Sequence, residues 1–180
     1  MTSLPRDEAE VLYLRCYDSV FRKTLLVTGD QDIAVEATHE AFVRAIERYH
    51  TLREPKKFPV WVTSIAINIA RDILKRRKRE IPSTGEVLEA QDQVRVDTGP
   101  ERLVSRNEDF VMLREAVKRL PADSRAVIFF YYVDECSIAE IAALLGIPEG
   151  TVKSRLFAAR ALLRRMMGER EISEKFGSGG

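Results

Sequence analysis

The chain has 180 residues, of which 45% are hydrophobic and 32% charged, a composition that supports real cores in one ordinary domain or two small ones. Its formal net charge of +1 excludes a uniformly basic coat, and its two cysteines, Cys16 and Cys136, form no C-x-x-C pair that would indicate a disulfide framework or a zinc site. No apolar run reaches transmembrane length and the opening MTSLPRDEAE lacks a signal-peptide core, so a cytoplasmic protein without membrane insertion is expected.

The charge is patterned, with basic runs at 71–79 and 153–165 and acidic clusters at 30–40 and 86–101, as separate surfaces for separate partners would require. Residues 7–28 carry Val11, Leu14, Cys16, Tyr17, Val20, Phe21, Leu25 and Val27 at helical spacing, and Gly29 ends that pattern. A second helix is predicted from Asp32 to Tyr49, with Ile33, Ala37, Ala41, Ala45 and Tyr49 on one side and Asp32, Glu36, His39, Glu40 and Phe42 outward. Stabilisation of the helix dipole accounts for Asp30 and Asp32. It accounts less well for Glu36 and Glu40, which leaves a docking surface for a basic partner as the second reading.

The segment LREPKKFP at 52–59 breaks the helical pattern, and Trp61 follows it. Arg53, Lys56 and Lys57 interleaved with aromatic rings suit a single-stranded nucleic acid, whereas Phe58 and Trp61 taken alone suit a core. A third helix is predicted over 60–79, apolar along Trp61, Ile65, Ile69 and Ile73. Asn68, Arg71, Lys75, Lys78 and Arg79 line another side, a pattern suited to phosphate contact. Residues 80–105, with two prolines, two glycines and no apolar stripe, read as a flexible connector.

A second helical domain is predicted over 106–170, with helices from Arg106 to Arg119 and from Asp123 to Val133; residues 171–180 read as a frayed tail. Ser137 and Glu140 form an S-x-x-E capping box, Ile138, Ile141, Ala142 and Leu145 share a face, and Gly146 stops that helix. Thr151 is expected to cap the next one, whose inward stripe is Val152, Leu156, Ala159, Leu163 and Met166. Lys153, Ser154, Phe157, Arg160 and Arg164 face the other way, and Arg155 adds a further cation. A short helix, a tight turn and a second helix with a cationic outer face make a helix-turn-helix suited to the DNA major groove.

Three stretches, DQDIAVEATHEAFVRA, FPVWVTSIAINIARDILKRRKR and LPADSRAVIFFYYVDECSIAEIAALLGIPEGTVKSRLFAARALL, occur in this order on either side of the connector. From about Tyr17 to Met167 the chain resembles bacterial RNA polymerase sigma factors of the extracytoplasmic-function (ECF) group, the two-domain members of the sigma-70 family. The resemblance implies an all-α fold of two small helical domains, a region 2-like one over 1–79 and a region 4-like one over 106–170. It implies binding to core RNA polymerase through Asp32, Glu36, His39, Glu40, Phe42 and Arg44. It further implies capture and melting of the promoter's minus-ten element by Leu52, Arg53, Lys56, Lys57, Phe58, Trp61, Asn68, Arg71, Lys75 and Arg76. Reading of the minus-thirty-five element falls to Thr151, Lys153, Ser154, Arg155, Phe157, Arg160 and Arg164, and an anti-sigma factor is the implied regulator. The chain departs from the family's D-L-T-Q-E at Glu36–Glu40, where His39 replaces an amide and Ala37 a larger side chain, and at Ala158, where arginine is frequent.

A lone helix-turn-helix regulator, dimeric on a two-fold operator, is the alternative, although a sensor domain needs no second basic surface. Glu36 and Glu40 with His39 could mimic an acid–base or metal set, yet no nucleophile motif, phosphate loop or further ligand cluster completes a site. Neither enzyme activity, cofactor nor metal is therefore expected.

Overall fold

The computed structural model describes residues 4–80 and 108–167, so the connector beyond residue 80, the start of the second domain at 106–107 and the 171–180 tail lie outside the described residues. Three helices come first: α1 (Arg6–Thr28), α2 (Gln31–Glu47) and α3 (Phe58–Glu80), with 3-10 turns at Tyr49–Thr51 and Pro55–Lys57 between the last two. Four follow: α4 (Glu108–Lys118), α5 (Ala122–Tyr132), α6 (Ile138–Leu145) and α7 (Glu149–Met167). Among the described residues there is no strand, and the chain divides into two compact units, α1–α3 and α4–α7. The fold is all-α.

In the first unit Gly29 closes α1 at φ 74°, a left-handed conformation that a Cβ would disfavour, and its N–H donates to the Leu25 carbonyl at 2.8 Å. Asp30 then caps α2, its Oδ1 accepting from the Ile33 N–H at 2.9 Å. Ala34, Ala37, Ala41 and Ala45 are fully buried on α2, as are Ala66 and Ala70 on α3, so these two helices approach closely along small side chains. This shifts the buried stripe of α3 by one position from the predicted one. Val62, Ala66, Ala70 and Ile73 take its centre, while Trp61, Ile65 and Ile69 pack as half-buried flanks.

Phe42 and Phe58 bridge α2 and α3 at 6.3 Å between ring centroids, with Tyr13, Tyr49 and Trp61 each within 6.2 Å of one of them. Both rings are essentially shielded from water, at 2% and 1% exposure. Phe42 therefore does not face outward as expected. Burying such a ring contributes about 1.5–3 kcal/mol, more than any surface contact it could make.

In the second unit α5 supplies the core, with Ala126, Val127, Ile128, Phe129 and Phe130 all buried. Arg125 is buried beside them, and its Nη1 donates to the Lys118 carbonyl at 2.7 Å, occupying an acceptor that the end of α4 leaves open. The Cys136 N–H donates to the Phe130 carbonyl across the turn after α5, where Glu135 takes φ 51°.

The capping box of α6 is formed as predicted: Ser137 Oγ accepts from the Glu140 N–H at 3.2 Å, and Glu140 Oε2 accepts from the Ser137 N–H at 2.9 Å. Gly146 sits at φ 62° and ends that helix. The cap of α7 differs from the expected one. That helix starts at Glu149, three residues before the start that a Thr151 cap would give, and the Pro148 carbonyl accepts from the Thr151 and Val152 N–H groups at 2.9 and 3.1 Å. Thr151 is the third residue of the helix, inside its first turn and not at the cap.

Candidate nucleic-acid interface

On α2 the outer face carries Asp32, Glu36, His39, Glu40 and Arg44, all exposed. Glu40 Oε1 accepts from Arg44 Nε at 2.8 Å, a pair one turn apart that contributes a few tenths of a kcal/mol. His39 stacks on Tyr17 of α1 at 5.3 Å. Burial raises the Tyr17 hydroxyl above its ordinary range, with neighbouring Tyr13 and Asp18 acting in the same sense. Five of the six residues expected to meet the polymerase thus share one surface, and Phe42 lies beneath it.

The second candidate surface separates in the same way. Arg53, Lys56 and Lys57 are exposed around the Pro55–Lys57 turn, where Lys57 also approaches Glu54 at 3.3 Å. Lys75 and Arg76 are exposed on the last turns of α3. Leu52 and Trp61 are half-buried against the core, and Phe58 is inside it. Arg71 is also drawn in, at 7% exposure, with its Nη1 donating to Asn68 Oδ1 at 3.1 Å.

One member of the basic run has a partner that local pattern does not reveal. Arg77 Nη1 lies 3.1 Å from Asp30 Oδ2, so the carboxylate that caps α2 also holds the far end of α3. The two residues are 47 positions apart, and nothing in the spacing of either helix signals the pairing.

On α7 the predicted stripe is buried at Val152, Leu156, Ala159 and Leu163. Lys153, Ser154, Phe157 and Arg164 stand on the exposed side, Phe157 at 75% exposure. Thr151, Arg155 and Arg160 are half-buried. Arg155 Nη2 pairs with Asp123 Oδ2 at 2.6 Å, and Arg160 Nε donates to the Tyr132 hydroxyl at 2.8 Å. The outer face presents cations and one apolar ring. Among the described residues no group of three or more His, Cys, Asp or Glu could hold a metal ion, and no helix is long and apolar enough to cross a membrane.

Residues 12–80 match the sigma-70 region 2 family and residues 110–163 the sigma-70 region 4 family, in the same order as the two units. The chain is also 30% identical over 156 residues to the ECF RNA polymerase sigma factor SigW of Bacillus subtilis, covering 83% of each chain. The chain belongs to the ECF RNA polymerase sigma factors.

Other sigma factors are similar to this one. It is 31% identical over 131 residues to the ECF RNA polymerase sigma-E factor of Escherichia coli K12, covering 69% of both proteins. It is 32% identical over 158 residues to the probable RNA polymerase sigma factor RfaY of Xanthomonas campestris, but spans only 39% of that longer protein. The fold resembles that of the sigma factor RpoE from Bartonella quintana, solved with the anti-sigma factor NepR, at a TM-score of 0.67 and 22% identity over 90% of this chain and 97% of that one. The two separate basic surfaces of this ECF sigma factor fall one in each matched region.

Proposed function

We propose that this sigma factor directs core RNA polymerase to promoters by placing its two units on two elements of the same DNA. The observation that carries this is the pairing of a region 2-like unit and a region 4-like unit, each with its own exposed cationic face. In the first unit the exposed carboxylates Asp32, Glu36 and Glu40 on α2 are the polymerase-docking side. The Arg53–Lys57 turn and the Lys75–Arg76 end of α3 hold the minus-ten strands. In the second unit Lys153, Ser154, Phe157 and Arg164 enter the minus-thirty-five major groove.

The mechanism is binding and positioning, without covalent chemistry. Flipping a base costs a few kcal/mol of stacking, which the basic turn and a fitted pocket offset. Phe58 supports the basic turn from within the core rather than acting as a stacking surface. Each unit alone offers modest DNA affinity, and polymerase makes their attachment bivalent. An anti-sigma factor is the proposed regulator, as the Bartonella quintana relative is held by one.

Transcription from a random-promoter library with purified core polymerase tests the proposal. Added chain should produce defined start sites sharing two upstream motifs. A library that yields the same starts with and without the chain contradicts it, and tight binding of a two-fold operator by a free dimer would favour a lone regulator instead.

A further inference from the structure

We infer that Arg155 and Arg160 are positioning residues: they lock α7 against α5 so that its reading face meets the groove at one fixed rotation. This rests on the reading of α7 as the groove-entering helix.

The two arginines lie on opposite edges of the buried stripe. At 100° per residue each falls about 70° from the line through Val152, Leu156, Ala159 and Leu163. Their partners lie at the two ends of α5. Arg155 reaches Asp123 in its first turn at 2.6 Å, and its Nη1 is a buried donor with no hydrogen-bond partner. Arg160 reaches the hydroxyl of Tyr132, the last residue of α5, at 2.8 Å. Its guanidinium carbon also stands over the Tyr131 and Tyr132 rings, 5.3 and 5.6 Å from their centroids. Such a cation is held by charge, hydrogen bond and ring face together.

Apolar burial is non-directional, so the stripe sets which side of α7 is covered, and directional contacts at its edges add a fixed rotation. A turn of roughly 20° moves a side-chain end at a radius of about 6 Å by about 2 Å, enough to break any base-edge hydrogen bond. Clamps on both edges oppose rotation in either sense. Their loss therefore falls on sequence discrimination, which needs registered side chains, more than on attraction to phosphate. A cation that contacts phosphate directly behaves otherwise: removing it weakens all sequences alike and flattens the salt dependence.

The test uses the full chain assembled with core polymerase, at a temperature where circular dichroism shows every variant folded. The probes are a duplex recovered by that assembly from a random-sequence pool and the same duplex with its minus-thirty-five segment scrambled. Tyr132→Phe and Arg160→Lys should each lower the ratio of selected to scrambled affinity about fivefold or more, with the salt slope unchanged. Arg160→Lys keeps the charge, so a phosphate contact would survive it. The inference is overturned if Arg160→Lys binds like the parent, or if Tyr132→Phe is silent while Arg160→Gln flattens the salt slope by about 0.9. Equal weakening on both duplexes also overturns it, since that is loss of active protein. Lys153→Ala reports on the underlying reading. If it changes neither affinity nor slope, α7 is off the DNA and both statements fall; if it weakens binding while the clamp variants do nothing, only the clamp fails.

Discussion

The two basic helices of this sigma factor, α3 and α7, use their cations differently. On α3 the exposed run Lys75–Arg79 continues past the packed part of the helix, and Arg77 is drawn off by Asp30. On α7 the cations are interleaved with the apolar stripe, and the two nearest its edges are tied to α5. A cation beyond the end of a stripe stays exposed even where a distant carboxylate reaches it, as Asp30 reaches Arg77. A cation beside the stripe is within reach of the helix underneath and is captured by it. Counting basic residues therefore overstates the proposed DNA face of α7.

The strongest way to break this comparison is at Phe58, which sits where the first unit's basic turn joins its core. Phe58→Ala should destabilise that unit by about 3–5 kcal/mol, read as a lower thermal midpoint. Intact stability with lost promoter opening would instead make Phe58 a stacking surface. In the second unit Ser137→Ala removes half of the capping box and should cost about 1 kcal/mol in urea unfolding; no change would mean that Glu140 alone holds the turn before α6.

Asp30 sharpens the α3 side. Asp30→Ala loses the cap and the Arg77 pair together, about 1 kcal/mol. Asp30→Asn keeps the cap and should cost only a few tenths, so equal losses would show that the ion pair dominates. The smallest effect belongs to Glu115 on α4. A hydrogen bond from Lys118 at 2.8 Å, aided by the nearby positive charges and opposed by slight burial, lowers its pKa. A depressed carboxylate stabilises the fold above its unfolded value and stops doing so as pH falls through the folded one. The gap between the parent and Glu115→Gln in urea midpoint should accordingly be small at neutral pH and vanish on acidification below about pH 4. A gap that widens with acid would reverse the sign.

What the sequence revealed was local in origin. Gly29, the Ser137–Glu140 box, Gly146 and the α7 stripe are each set by neighbours within a turn, and each is found where it was predicted. The misplaced residues were decided by distant ones. Phe42 turns inward because the α2 alanines bring Phe58 within reach, and the same close approach moves the α3 stripe from Trp61–Ile65–Ile69 to Val62–Ala66–Ala70. The Asp30–Arg77 and Asp123–Arg155 pairs span 47 and 32 positions, beyond any periodic signal. Small residues at helical spacing were the available hint, since alanine on a buried face marks where another helix will lie close.

The most direct measurement is a spacing experiment on a promoter selected by the reconstituted polymerase. Inserting five base pairs between its two motifs turns one element by about half a helical turn relative to the other. Transcription should collapse to the level seen without the chain, and an insertion of either motif's own sequence elsewhere should not restore it. Undiminished initiation across that insertion would mean that only one unit touches the promoter.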